Sequence, residues 1–111
     1  MQKRGVNLCG IDFVMGVTHK EAAKAERCVH FDERIHGFLL KKENGFGLLL
    51  GLDPYRTTVL YSQDVLELID ICGDLSEQYS THAEISSFAH ELRGICEEAV
   101  RQKKHIYAIG D

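Results

Sequence analysis

Apolar residues recur along this chain with two different periods. From Thr81 onward, Ile85, Phe88, Leu92, Ile95, Cys96, Ala99 and Val100 fall at intervals of three and four. That is the mark of one helical face, and it predicts a long helix over 82–104. Thr81 and Glu84 have capping-box spacing, and Lys103, Lys104 and His105 place cations at the negative end of the helix dipole. The segment before it, "SQDVLELIDICGDLSEQ", carries Val65, Leu66, Leu68, Ile69, Cys72 and Leu75 on a broad stripe. Ser62 stands where an N-cap is expected, with Asp64 and Glu67 in the first turns.

The N-terminal half reads differently. Val6, Leu8, Ile11, Phe13 and Met15 suggest an extended strand over 5–15. Thr18 and Glu21 form another capping box and predict a short helix through "HKEAAKAERC". The stretch "RIHGFLLKKENGFGLLLGLDP" reads as a hairpin, with Ile35–Lys42 as one arm, Glu43-Asn44-Gly45 as the turn and Phe46–Leu52 as the other. Asp53 and Pro54 end that arm, "TTVLY" begins a third strand with β-branched residues, and "HIYAIG" is a final short strand. The expected fold is α+β, a single globular domain over 1–111. A small antiparallel sheet of three to five strands with a central meander carries two C-terminal amphipathic helices on one face, and a short N-terminal helix completes it.

Composition narrows this picture. A chain of 111 residues with 44% apolar content supports one domain with one core and argues against long disorder. No run approaches the ~20 apolar residues of a membrane span, and Asp12 interrupts the mildly apolar N-terminus, so a signal peptide is not expected. A net charge of −4 speaks against nonspecific nucleic-acid binding. Cys9, Cys28, Cys72 and Cys96 are widely spaced, two of them among apolar residues, so free thiols in a reducing cytoplasm are expected rather than disulfides.

Catalytic and metal chemistry find little to stand on. Zinc sites usually announce themselves with closely paired ligands, and no such pair occurs here. Gly45, Gly47 and Gly51 lack the Gly-Lys-Ser/Thr ending of a phosphate loop. The one alternative is a small metal- or ligand-binding enzyme domain using Cys28, His30 and His36; Cys28 and His30 would point the same way if their segment is extended. The expectation is therefore no catalytic residues, no metal and no cofactor. A homodimeric adaptor pairing through the hairpin edge is a further alternative.

Charge is the stronger lead. Between residues 63 and 98 there are nine acids and a single base, Arg93, so the two C-terminal helices are acidic and the rest of the chain mildly basic. Glu67, Asp70 and Asp74 share one side of their helix, away from the apolar stripe. Glu77 and Tyr79 lie at the edge of that surface, and Tyr55 and Arg56 flank it in sequence; Tyr and Arg are enriched at interface hot spots. A solvated face that keeps the protein soluble would look the same.

With "GFGLLLGLDP" leading through a strand into "YSQDVLELIDICGDL", residues 34–100 resemble bacterial toxin-immunity proteins, such as those of contact-dependent growth inhibition systems. The resemblance implies a non-enzymatic cytoplasmic inhibitor that works by binding. Its partner would be a basic protein, the cognate toxin domain. If that toxin is a nuclease, carboxylates would occupy a cleft shaped for phosphates. On this reading Glu67, Asp70 and Asp74 are the electrostatic anchors.

Overall fold

The computed structural model describes residues 10–42, 47–53 and 55–110. Four strands form one antiparallel sheet: β1 (Gly10–Gly16), β2 (Val29–Asp32), β3 (Thr57–Leu60) and β4 (His105–Gly110), in the order β2-β1-β4-β3. Among the described residues five helices accompany them: α1 (His19–Ala23), α2 (Glu33–Lys42), α3 (Gly47–Leu50), α4 (Ser62–Gln78) and α5 (Ala83–Gln102). The α+β class holds, and the strands at "TTVLY" and "HIYAIG" stand where the sequence places them.

Alternation along the strands sorts the two faces of the sheet. Ile11, Phe13, Val29, Phe31, Leu60, Ile106 and Ala108 point into the main core, under α4 and α5. Helix α5 lies over β1, β2 and β4, and α4 over β3 and β4. Phe88 of α5 stacks on Phe31, with ring centroids 4.8 Å apart and planes 14° from parallel. On the opposite face Val14 and Tyr107 pack around Ala22 of α1. No polar or charged residue is buried among those described.

The central hairpin is not formed. Glu33–Lys42 and Gly47–Leu50 are helical, and the proposed turn and Phe46 lie outside the described residues. The reason is a helix start hidden in the motif. The Asp32 carboxylate accepts a hydrogen bond from the Arg34 backbone N–H at 2.7 Å, capping α2, and Ile35 and Leu39 are buried at helical spacing. The run "GLLLGL" then curls into one turn that buries Leu49 and Leu52, with the Gly51 N–H donating to the Gly47 carbonyl at 2.9 Å. A short apolar run fits a buried strand or a buried turn equally well by period alone. The meander fails with the hairpin, and so does the adaptor edge built on it. The missing strand is supplied instead by β2, in the short stretch between the expected first helix and the expected hairpin.

Helix starts differ in detail from expectation. Thr18 caps α1 as predicted, its hydroxyl accepting from the Glu21 N–H at 3.1 Å, but α1 stops at Ala23. Tyr61, not Ser62, is the N-cap of α4 and makes no side-chain cap bond. His82, not Thr81, caps α5, with Nδ1 accepting from the Ile85 N–H at 3.4 Å. At the other end of α5, Lys103 adopts the left-handed conformation at φ 58°.

Candidate partner-binding surface

Helix α4 rotates about 100° per residue, and that rotation separates its side chains cleanly. Val65, Leu68, Ile71, Cys72 and Leu75 turn into the core. Glu67, Asp70, Asp74 and Glu77 emerge on the diametrically opposite side, all exposed. None of the four makes an ion pair with a described residue. They recur at intervals of three and four, so each stands beside another carboxylate and repels it.

The acids of α5 and the N-terminal half are arranged otherwise. Arg93 pairs with Glu97 at 3.2 Å, Arg101 with Glu98, and Arg34 bridges Asp32 at 3.2 Å and Glu84 at 3.1 Å. Lys104 meets Glu21 at 2.7 Å. That lysine, with the Val17 N–H donating to Glu21 as well, holds the Glu21 carboxyl below its usual range. Among the described residues, charge that the sequence spreads over two helices is thus left unpaired mainly on one.

The other predicted contact residues make contacts of their own. Tyr79 is the C-cap residue of α4, half-buried, and meets Phe38 edge-on at 5.9 Å. Tyr55 and Arg56 sit in the turn before β3. The Asp53 carboxylate accepts from the Tyr55 N–H at 2.9 Å and pairs with the Arg56 guanidinium at 3.5 Å.

Cys28, His30 and His36 are divided by the sheet. His36 lies on the core side, against the Phe31 ring at 5.2 Å, with Nε2 3.3 Å from the Leu50 carbonyl oxygen. His30 faces the other way and pairs across the strands with Asp12, Nδ1 to Oδ1 at 2.7 Å. Its ring lies over Gly10, so close that a Cβ there would meet Cε1 at 2.5 Å and Nε2 at 2.8 Å. Gly10 is opposite Asp32, so Nε2 is turned toward the far end of β2 from Cys28. The His–Asp pair therefore has the look of a base and its orienting carboxylate but does not present its free nitrogen to the thiol. Burial and the Asp12 carboxylate also push the Cys28 thiol up, away from the thiolate a nucleophile needs. Among the described residues no group of three His, Cys, Asp or Glu side chains is placed to hold a metal ion.

The sequence contained the Asp12–His30 pair only as two residues 18 positions apart, visible once β1 and β2 are known to be partners in this register. No family model matches the chain, and neither a curated protein nor a solved structure matches it. None of the described helices is long and apolar enough to cross a membrane.

Proposed function

We propose that this protein is a non-catalytic binding protein that engages a basic protein partner through the outer face of α4, in the manner of a cytoplasmic immunity protein neutralising a cognate toxin domain. One observation supports the reading above the rest: Glu67, Asp70, Asp74 and Glu77 form an exposed row of carboxylates with no ion-pair partner among the described residues, on a helix whose opposite side is fully committed to the core. A row of this kind repels itself and gains from a cationic surface brought against it. Its main effect is on the rate and selectivity of encounter. Against a nuclease the carboxylates would cover the cations that hold substrate phosphates, so inhibition needs no chemistry from the inhibitor.

The test is a charge reversal in the whole chain, Glu67→Lys, Asp70→Lys and Asp74→Lys together, assayed against the basic protein that the wild-type chain retains in a pull-down from its source cell. Binding should weaken by about a hundredfold or more, chiefly through the association rate, and protection of cells should be lost. Because the three side chains are exposed and lie off the core stripe, circular dichroism and the urea midpoint should stay near wild type. A triple variant that bound and protected like the parent would remove this face from the interface.

A further inference from the structure

Five large apolar side chains are strongly exposed among the described residues, and four gather at one end of the molecule: Val17 at 51%, Tyr61 at 57%, Leu66 at 52% and Val100 at 45%. Leu66 and Val100 face each other across a groove between the first turns of α4 and the last turns of α5, with Val65 and Ala99 lining it. Tyr61 adjoins it, its ring edge-on to His105 at 4.7 Å. The groove holds about 280 Å³, just below the ~300 Å³ at which small-molecule sites begin, and suits a single bulky side chain.

The charges around this groove say what kind of chain would bring that side chain. Glu67 follows Leu66 directly, and Asp70 stands one turn further along, the i+4 neighbour of Leu66. Neither has a cationic partner among the described residues. Of the basic residues lining the groove, Lys104 is paired with Glu21, and Lys103 and His105 have no ion-pair partner among the described residues. Leu66 thus joins the groove to the acidic row, which lies beyond the lining itself. Exposed ion pairs typically contribute only about 0–1 kcal/mol each, so a purely charged surface binds quickly but weakly. Long residence requires an apolar anchor excluded from water beside the charges.

We propose that this groove is the apolar half of the partner-binding surface. It receives an aliphatic or aromatic side chain from a basic segment whose Lys or Arg neighbours reach Glu67 and Asp70. The proposal rests on the reading of α4 as the binding face and adds the anchor that the charges lack.

Three short peptides test it by NMR titration into the full-length isotope-labelled protein: Lys-Lys-Trp-Leu-Lys-Lys, Lys-Lys-Gly-Ser-Lys-Lys and Glu-Glu-Trp-Leu-Glu-Glu. The first should shift the amides of Leu66, Asp70, Ala99 and Val100 together and bind about ten-fold more tightly than the second. A Leu66→Ser, Val100→Ser variant, with its unperturbed spectrum reporting an intact fold, should lose that advantage and still bind the second peptide. If both lysine peptides bind equally and leave Ala99 and Val100 unmoved, the groove is not an anchor, while the acidic face stands. If neither lysine peptide moves the α4 amides, the acidic face falls and the groove proposal with it. Tighter binding of the glutamate peptide in the groove would overturn the basic character assigned to the partner.

Discussion

Helices α4 and α5 have nearly the same inner surface and very different outer ones. Both bury a stripe of Leu, Ile and Cys at helical spacing and pack against each other over the sheet. Outside, α5 matches acid to base within its own turns, Arg93 to Glu97 and Arg101 to Glu98, and lends Glu84 to Arg34. Helix α4 presents four carboxylates in a row with no such match among the described residues. Folding explains the likeness, because a two-layer domain needs both inner stripes. It does not explain the difference, because α5 shows that a helix of this fold can carry interleaved charge. The contrast therefore isolates the outer face of α4 as the part of the molecule that stability leaves free.

If the inner faces are equivalent, Leu68→Ala in α4 and Leu92→Ala in α5 should cost alike, since both side chains are fully buried. Urea unfolding should show a loss of about 2–5 kcal/mol for each. A large inequality between them would mean that one helix dominates the core.

The thiols sharpen the same point. Burial pushes Cys72 on α4 and Cys96 on α5 up to about 12. Both folded values lie above those of the unfolded chain, which binds fewer protons once the pH passes about 9. Their contribution is intact below that pH and should be lost as it climbs towards 12, by about 1.4 kcal/mol per pH unit for each thiol. Replacing both with Ala should flatten the alkaline limb of a stability–pH curve. A limb of unchanged slope would show that the thiols are not the cause.

The outer faces should give the smallest effects and opposite signs. Asp74→Lys places a cation four residues after Asp70 and near the negative end of the α4 dipole, and should stabilise by about 0.3–1 kcal/mol. Arg93→Ala breaks the pairing with Glu97 at 3.2 Å and should destabilise by about 0.3–0.5 kcal/mol. Thermal melts at low salt measure both, and the two shifts should shrink together in 1 M salt. Equal signs would erase the distinction between the two surfaces.

Much of the architecture was legible in the sequence, for a physical reason that also explains what was not. The inner stripes of α4 and α5 are long, and a long stripe samples its period many times. Strands β3 and β4 announced themselves with Thr57, Thr58, Val59 and with Ile106, Tyr107. The segment from Asp32 to Leu52 was misread because Gly37 and "GLLLGL" look like strand and turn residues, while the decisive Asp32 cap is a single short bond. Residues 67, 70, 74 and 77 were found together because helical neighbours lie close in sequence. The splitting of charge between α4 and α5 was legible in part: Arg93–Glu97 and Arg101–Glu98 are neighbours on one helix, whereas Arg34–Glu84 joins residues far apart in the chain. Leu66 and Val100 were both assigned to core stripes, and only the packed helix pair reveals that they stop short of it.

The place of β4 has a consequence in time. It is last among the described strands, yet it lies second from one edge, hydrogen-bonded to β1 on one side and β3 on the other. As a nascent polypeptide leaves the ribosome, β1 and β2 can meet early as a local hairpin, while β3 waits without a neighbour. Closing the gap joins strands separated by nearly the whole described sequence, the kind of contact that makes folding slow. Until then Leu60 has no neighbouring strand and Ile11 and Phe13 have one on a single side, so the helper systems that shield newly made chains have their longest opportunity here, before synthesis reaches His105.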